Sequence, residues 1–600
     1  MKTKRNGVAV WLCISMLLML LSGIGASLVQ TSGNTVTVKD LNFVTTKGFE
    51  LSAKLLTPKG IKADDSLPTI VTCHGMFNDK EMQDAFFVEL SRRGYVVLTV
   101  DMPSHGNSDD TEIIDGCLVG TIEGVHYVST LPYVDKTKIG ITGHSLGALN
   151  ANIAILEDNA SETPLISSVL LNCNDAFYTD DDGNFVNIYG ARNAGIIAAD
   201  YDEFFMSDVD ENGAKTATRD YLNYNNAQSF LHFGQDPRGL DHREGNTFYT
   251  EDINGVTANR IIYPINMIHP WSHFSYRSVK ATIEYFEKTL GAPNPIDSAN
   301  QVWQWKEFFN LVGLVGFFIF VTNLAIAVSK LDCFRVERDM EIKVPDLTGK
   351  KASFWSGLAI TTVFGTLTYL PIMYGFNSFM KDNSSWRQST VFGIGMWAMC
   401  CGICAILLMV VASKKSSGEA FYAHAKLAGK DILRTALAAV TVTVAGFLCV
   451  TTIHYLFGTD FRIWVLAVKP FTSKFLLISL MPYMPMFLVY YIANSVAVNV
   501  YNNYNAKSNI AILAAANVVP VIIILAIQYI HYLATGFMVW TDPGSMYIVW
   551  LFPMLVFLPL SAVISRKVFE ATRNPYLPGI INGIIVTLVS CSNTLTWAAK

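Results

Sequence analysis

Nine apolar stretches limit what this chain can fold into. The first runs from Val8 to Ala26, and eight more begin near Phe308, Phe354, Val391, Leu433, Phe475, Ile510, Tyr547 and Leu577. Stretches of this kind are long enough to cross a hydrocarbon layer of about 30 Å. Charged side chains make up 16% of the 600 residues, against roughly 25% in soluble proteins. The sequence therefore predicts nine membrane spans, eight of them in a polytopic domain at residues 305–600.

Residues 1–30 contain the first predicted span. It follows Lys2, Lys4 and Arg5, a pattern shared by cleaved signal peptides and by uncleaved anchors. Because its apolar run exceeds the ~7–15 residues typical of a signal peptide, we favour a transmembrane signal-anchor and keep the signal peptide as the alternative.

The distribution of lysine and arginine predicts how the spans are oriented. Loops on the cytoplasmic side are enriched in these residues. A cytoplasmic amino terminus places 18 of the 25 basic side chains of residues 1–30 and 301–600 in the cytoplasm and seven on the other side. We therefore expect a multi-pass protein of the cell membrane, with residues 35–297 outside the cytoplasm.

The region between the first two spans differs in composition. Residues 31–300 contain 37 acidic and 19 basic side chains, a balance that repels phosphates and argues against a nucleic-acid partner. Its three cysteines do not suggest a disulfide framework. In the membrane part, Cys400, Cys401 and Cys404 lie in an apolar stretch without nearby histidine or carboxylate partners. We interpret them as packing residues and assign no metal and no cofactor.

The polar region alternates between strand and helix patterns. Apolar, β-branched runs typical of buried parallel strands occur at 69–73, 95–100, 138–142, 168–173, 194–199 and 260–265. Helical patterns occur at 81–93, 146–157 and 276–290, while 35–38 and 50–56 suit an antiparallel hairpin. The predicted fold class is α/β, a mostly parallel sheet with helices on both faces, followed by an all-α membrane domain.

One motif in this region indicates chemistry. Gly143-His144-Ser145-Leu146-Gly147 lies directly between a predicted strand and a predicted helix. A serine on so sharp a turn adopts a strained backbone that exposes its hydroxyl, and the glycines let strand and helix approach closely. A nucleotide-binding turn is the competing interpretation. It requires glycines after the first strand and a third glycine near the end of the motif, and this chain has neither.

Three successive landmarks resemble the α/β-hydrolase superfamily, in its branch of lipases, esterases, thioesterases and serine aminopeptidases. His74-Gly75-Met76-Phe77 follows the third strand, where the family places its oxyanion loop. Residues 101–108 read Asp-Met-Pro-Ser-His-Gly-Asn-Ser and resemble the family's D-x-P-G-H-G-x-S stretch, with Ser104 where glycine is usual. The serine turn comes next. The resemblance covers about 260 residues and does not extend to the membrane domain.

The resemblance implies a site for acyl transfer. Ser145 would be the nucleophile. The backbone N–H groups of Leu146 and Met76 would form the oxyanion hole, with Phe77 as the alternative to Met76. His74 is interpreted as a brace for the oxyanion loop.

The family also places a carboxylate and a histidine after later strands. Asp202 resembles the acid of its G-x-x-D turn, while Asp200 and Asp175 remain alternatives, and each could instead cap a helix. The base should follow the last strand, where His269 and His273 both occur. We prefer His269, because its distance from the end of the final helix resembles the family's interval, and keep His273 as the alternative base.

These observations predict a membrane-anchored, extracytoplasmic serine hydrolase that cleaves an ester, thioester or amide through an acyl-serine intermediate. Its partners would be a small-molecule, lipid or peptide acyl substrate and the membrane lipids. Residues 203–258 would form a cap insertion or an ordinary surface insertion. The alternative function is a polytopic lipid or peptide transporter or sensor whose hydrolase-like domain only binds a ligand.

Overall fold

The computed structural model describes residues 2–110, 118–208, 214–336, 351–380, 388–416, 427–470, 482–502 and 509–593. The chain begins with helix α1 (Lys2–Gln30). The described residues form two compact units. The sheet unit comprises those within Gly25–Phe308 and Ile530–Asp542, and the helical unit those within Met1–Ile24, Phe309–Tyr529 and Pro543–Thr594.

A nine-stranded sheet organises the sheet unit. Its strands are β1 (Val36–Val44), β2 (Glu50–Pro58), β3 (Leu67–Cys73), β4 (Val96–Val100), β5 (Val134–His144), β6 (Ile166–Asn172), β7 (Asn193–Tyr201), β8 (Tyr249–Ile253) and β9 (Val256–Ile268). They lie in the order β1-β2-β4-β3-β5-β6-β7-β9-β8. The strands from β4 to β9 in that order pair in parallel, and β1, β2 and β8 are attached antiparallel. The predicted mostly parallel sheet is confirmed.

Helices cover both faces of the sheet. They are α2 (Asp84–Arg92), α3 (Gly120–Ser129), α4 (Leu146–Asn159), α5 (Asn225–Leu231) and α6 (Tyr276–Leu290). Neighbouring residues of β3 point to opposite faces: Ile70 packs in a core with Phe86 of α2, and Val71 packs with Ile122 of α3 and Ile155 of α4. Burial on both faces explains why the central strands are nearly continuous apolar runs.

Three elements of the sheet unit, α3, α5 and β8, were not predicted by the sequence analysis. Helix α3 contains glycines that weaken its helical pattern, yet a Cβ at Gly124 would lie 2.8 Å from Val71 Cγ1, so close packing on the sheet requires glycine there. Strand β8 is a polar edge strand. It is joined to β9 by Asn254 and Gly255, both at positive φ, which is the backbone of a tight two-residue hairpin turn.

The segment 203–258 is described except for residues 209–213. It contains a 3-10 turn at Thr218–Asn223, then α5 and β8. Tyr221 and Phe230 are buried in the core on the α3 and α4 face of the sheet. The cap function of this segment stays a prediction.

Most of the remaining helices are long and apolar. The remaining helices are α7 (Trp303–Val328), α8 (Lys351–Met380), α9 (Ser389–Ser416), α10 (Gly429–Phe457), α11 (Met484–Val496), α12 (Asn509–Thr535), α13 (Gly544–Val549), α14 (Met554–Thr572) and α15 (Tyr576–Asn593). Within the described ranges, nine stretches including α1 are long and apolar enough to cross a membrane. This number is compatible with a multi-pass protein. The start predicted near Phe475 lies outside the described residues.

Candidate active site

A sharp turn at Ser145 joins β5 to α4. Ser145 has φ 58° and ψ −118°, a strained conformation for a residue with a side chain, and its N–H donates to the Asn172 carbonyl at 2.9 Å. A Cβ at Gly143 would lie 2.4 Å from the Gly147 carbonyl oxygen, and a Cβ at Gly147 would lie 2.2 Å from the Cys73 carbonyl oxygen. The turn therefore requires both glycines, and it leaves Ser145 half-buried at its apex.

The loop after β3 lies against this turn. A Cβ on Gly75 would be 3.3 Å from Ser145 Cβ, and the next residue, Met76, is 38% exposed. On the other side, Leu146 is the first residue of α4, where the N–H groups are free of intrahelical bonds and the helix dipole favours negative charge. The two predicted oxyanion donors thus belong to segments that both border Ser145.

Buried polar contacts hold the loop after β3 in place. Nε2 of His74 accepts the N–H of Met102 at 3.1 Å. Burial lowers the pKa of His74, despite the nearby Asp101, so the ring stays neutral and can accept this bond. The Asp101 carboxylate in turn accepts the backbone N–H and the Nζ of Lys80, both at 2.7 Å. These contacts support the interpretation of His74 as a brace.

His269 and Asp202 form a buried hydrogen-bonded pair. Nδ1 of His269 donates to Oδ2 of Asp202 at 2.8 Å. Oδ1 of Asp202 accepts the N–H groups of Phe204 and Phe205, each at 2.9 Å, and Glu203 accepts the His269 N–H at 2.8 Å. Burial alone would lower the pKa of His269, but the Asp202 charge and hydrogen bond outweigh it, and the pKa is raised.

This pair lies next to the serine turn. Nε2 of His144, the residue before Ser145, donates to the His269 carbonyl at 3.1 Å, and the two imidazole rings are 4.8 Å apart. Among the described residues the Ser145 hydroxyl has no hydrogen-bond partner. Contacts between a nucleophile and its base are often loose before substrate binds.

Known proteins share part of this region. Residues 29–171 match the family described as "Esterase FrsA-like". Esterase FrsA of Photorhabdus laumondii is 33% identical over 89 residues, which is 15% of this chain and 21% of that protein. Esterase FrsA of Escherichia coli O157:H7 is 30% identical over 124 residues, 20% of this chain and 28% of that protein. The aligned part is thus less than a third of either relative.

The family match and the strand order together decide the fold. The sheet unit has the α/β-hydrolase fold. Among solved structures, an esterase from Pyrobaculum calidifontis is 15% identical, with a TM-score of 0.29, and covers 48% of this chain and 92% of its own. The match to the esterase family reaches Ser145 but ends before Asp202 and His269, so the contacts of those two residues come from the structure alone.

The alternative base has no hydrogen-bonded acid among the described residues. His273 is 4% exposed, and neither ring nitrogen has a hydrogen-bond partner among the described residues. Burial, together with the nearby His269, lowers the pKa of His273 to about 3. Its ring lies 4.6 Å from that of His144, so it belongs to the packing beneath the turn.

The alternative acids have other partners. The Asp175 carboxylate accepts the Tyr221 hydroxyl and the Asn226 side-chain amide, and burial raises the pKa of Asp175 to about 6. Asp200 offers its backbone carbonyl to the Thr218 hydroxyl at 2.8 Å. Within the described residues, Asp202 is the acid among these three that hydrogen-bonds to a candidate base.

Sequence reasoning missed Glu203. Glu203 is 1% exposed, and its carboxylate accepts the backbone N–H of His269, so it fixes the start of the 3-10 turn His269–Phe274. The signal available was its position directly after Asp202.

One cluster in the described part of the sheet unit has the spacing of metal ligands. Ligand atoms of His144, Cys173 and His269 lie within 4.8 Å of one another. Both histidines already have protein partners, because Nδ1 of His269 bonds to Asp202 and Nε2 of His144 bonds to a carbonyl. These contacts leave the second ring nitrogen of each histidine unused, and Nδ1 of His144 has no hydrogen-bond partner among the described residues.

Proposed function

We propose that the protein is a membrane-anchored serine hydrolase that cleaves an ester, thioester or amide through an acyl-enzyme on Ser145. The observation that carries this proposal is the 2.8 Å bond between His269 and Asp202, beside the strained turn that holds Ser145. The similarity of residues 29–171 to esterases supports it.

The proposed reaction has two halves. His269 Nε2 takes the Ser145 proton as Oγ bonds to the acyl carbon, and the carbonyl electrons move to the oxygen. The N–H groups of Leu146 and Met76 receive this oxyanion, each stabilising it by about 3 kcal/mol. Asp202 stabilises the His269 imidazolium, which gives its proton to the leaving group as the bond to that group breaks. Water then attacks the acyl-serine by the same steps, with His269 as its base, and Ser145 recovers its proton.

Active-site labelling tests the proposal. A fluorophosphonate probe should bond to Ser145 in the full-length protein, and Ser145→Ala should abolish labelling. Ser161→Ala is the matched control, because Ser161 lies on the exposed surface of the hydrolase domain, and it should label like wild type. A wild-type protein that takes no label at any pH between 6 and 9 would contradict the proposal.

We further propose that the amino terminus is cytoplasmic and the hydrolase domain extracytoplasmic, on the basis of the excess of basic loops on one side. A cysteine introduced by Ser161→Cys on the hydrolase surface should react with a membrane-impermeant maleimide in intact cells. Cys333, which is exposed just after α7, should react with the same maleimide only after the cells have been permeabilised. The reverse pattern would invert the topology.

The alternative function, transport or sensing of a lipid or peptide, is favoured by a cavity of about 610 Å³ in the helical unit. Its lining is mostly apolar and includes Asn494 and Asn517, which hydrogen-bond to each other at 2.9 Å. Comparing extracted lipids and peptides from cells with wild-type or Ser145→Ala protein separates the two functions. A hydrolase predicts different profiles, and a transporter with a binding domain predicts the same profile.

A further inference from the structure

A tyrosine from the distant part of the chain contacts the acid of the proposed site. Tyr532 belongs to the sheet unit, in the segment Ile530–Asp542. Its hydroxyl donates to the backbone carbonyl of Asp202 at 2.9 Å, across 330 residues of sequence. The side chain is 1% exposed. Because Tyr532 lies in the last turn of α12, a membrane-span candidate, a helix outside the hydrolase sequence reaches the catalytic acid.

Neighbouring contacts fix this tyrosine on the end of β7. The Thr218 hydroxyl lies 3.0 Å from the Tyr532 hydroxyl and donates to the Asp200 carbonyl at 2.8 Å. The ring of Tyr201 meets that of Tyr532 edge to face, with centroids 5.6 Å apart. Thr218 therefore holds the backbone of Asp200, and Tyr532 contacts both Tyr201 and Asp202.

The chain beyond α12 follows the same surface. Gly536 has φ 83°, and a Cβ there would be 3.1 Å from the Ala217 Cβ. His531 Nδ1 donates to the Phe537 carbonyl at 2.8 Å and closes this turn. Gly536 lets the segment turn close to Ala217, the residue before Thr218. This close packing holds Tyr532 beside Asp202.

We infer that Tyr532, in the last turn of α12, is a positioning residue for the proposed acid–base pair. The inference rests on the proposed function. The Asp202 side chain has one oxygen on backbone N–H groups and the other on His269, so a shift of its backbone moves the imidazole. Tyr532 touches neither His269 nor Ser145 through a described hydrogen bond, and acts through Asp202.

Tyr532→Phe in the full-length protein keeps the ring and removes the hydroxyl. We expect the second-order rate constant for fluorophosphonate labelling of Ser145 to fall about tenfold, with an unchanged final extent of labelling. We also expect the acid limb of the pH–rate profile to move to lower pH, because a looser Asp202 raises the pKa of His269 less.

Tyr285→Phe is the matched control. Its buried hydroxyl also donates to a backbone carbonyl, that of Val169, at 2.7 Å, and its loss should leave the rate constant and pH profile unchanged. Thr218→Val should slow labelling and Thr218→Ser should restore it, and this comparison applies even if Tyr532→Phe fails to accumulate.

Two results would overturn the inference while the wild-type protein still takes the label. In the first, Tyr532→Phe has the labelling rate constant and the pH profile of the wild type. In the second, its extent of labelling is reduced at an unchanged rate constant, which indicates a structural role alone. A wild-type protein that takes no label overturns the proposed function and this inference with it.

Discussion

The hydrogen bonds of Asp202 predict which tautomer His269 adopts when Asp202 is replaced by asparagine. Oδ1 of Asp202 accepts two N–H groups, from Phe204 and Phe205, so in the variant the oxygen of the side-chain amide must occupy that position. The NH₂ group of the same amide then faces Nδ1 of His269, which has to accept a hydrogen bond and therefore carries its proton on Nε2. In that tautomer His269 cannot take the Ser145 proton.

The loss should be large and confined to catalysis. Forcing the wrong tautomer costs on the order of 10⁴ in kcat, or about 5 kcal/mol of barrier. The assay is hydrolysis of a p-nitrophenyl ester by the purified full-length protein, with thermal unfolding to show that Asp202→Asn remains folded.

Asp200→Asn is the control, because Asp200 lies two residues away and has no described hydrogen bond to His269. It should lose less than about threefold in kcat. A loss under tenfold for Asp202→Asn, or a larger loss for Asp200→Asn, would refute the assignment of Asp202 as the acid.

Three further predictions concern pH, packing and charge. His269 must be neutral to accept a proton and its pKa is raised above its usual value of 6.5, so kcat/KM should rise with pH through that raised pKa; a flat profile between pH 5 and 8 contradicts this. Gly147→Ala, whose Cβ would lie 2.2 Å from a backbone oxygen, should lower the free energy of unfolding by about 3 kcal/mol or more. Gly120→Ala, whose Cβ would have its nearest atom at 3.4 Å, should not lower it. Equal midpoints of thermal unfolding for the two variants would refute the steric argument. Lys306→Met leaves the buried Asp84 carboxylate without its 2.7 Å partner and should lower the free energy of unfolding by about 3–5 kcal/mol. Lys280→Met, in an exposed pair, should lower it by less than about 1 kcal/mol. Equal losses of thermal stability in the two variants would contradict the larger contribution of the buried pair.

The sheet was predictable because its central strands are buried on both faces. Every residue of β4 is buried, so the strand reads as an apolar, β-branched run in which Thr99 is the one polar residue. Strand β8 alternates between partly buried and exposed residues at the sheet edge, and its polar composition hid it. Its hairpin turn, Asn254-Gly255, was the available signal.

The site was less predictable, because several of its choices depend on contacts rather than spacing. His269 and His273 both follow the last strand, and only the fold shows which ring meets an acid. Asp200 and Asp202 are two residues apart at the end of β7, so strand periodicity places them on the same face. Nothing in the sequence around Tyr532 indicates a contact with Asp202, since the two are joined by tertiary structure alone.

The bond from Tyr532 to Asp202 also sets an order of events during synthesis. Because 330 residues separate the two, the ribosome needs about 15–65 s to reach the tyrosine after the aspartate at 5–20 residues per second. Until then the sheet can fold while its acid loop lacks one of its anchors. A chain that stalls before α12, its seventh membrane-span candidate, would therefore lack this contact, so completion of the proposed site reports that the helices up to α12 have been made.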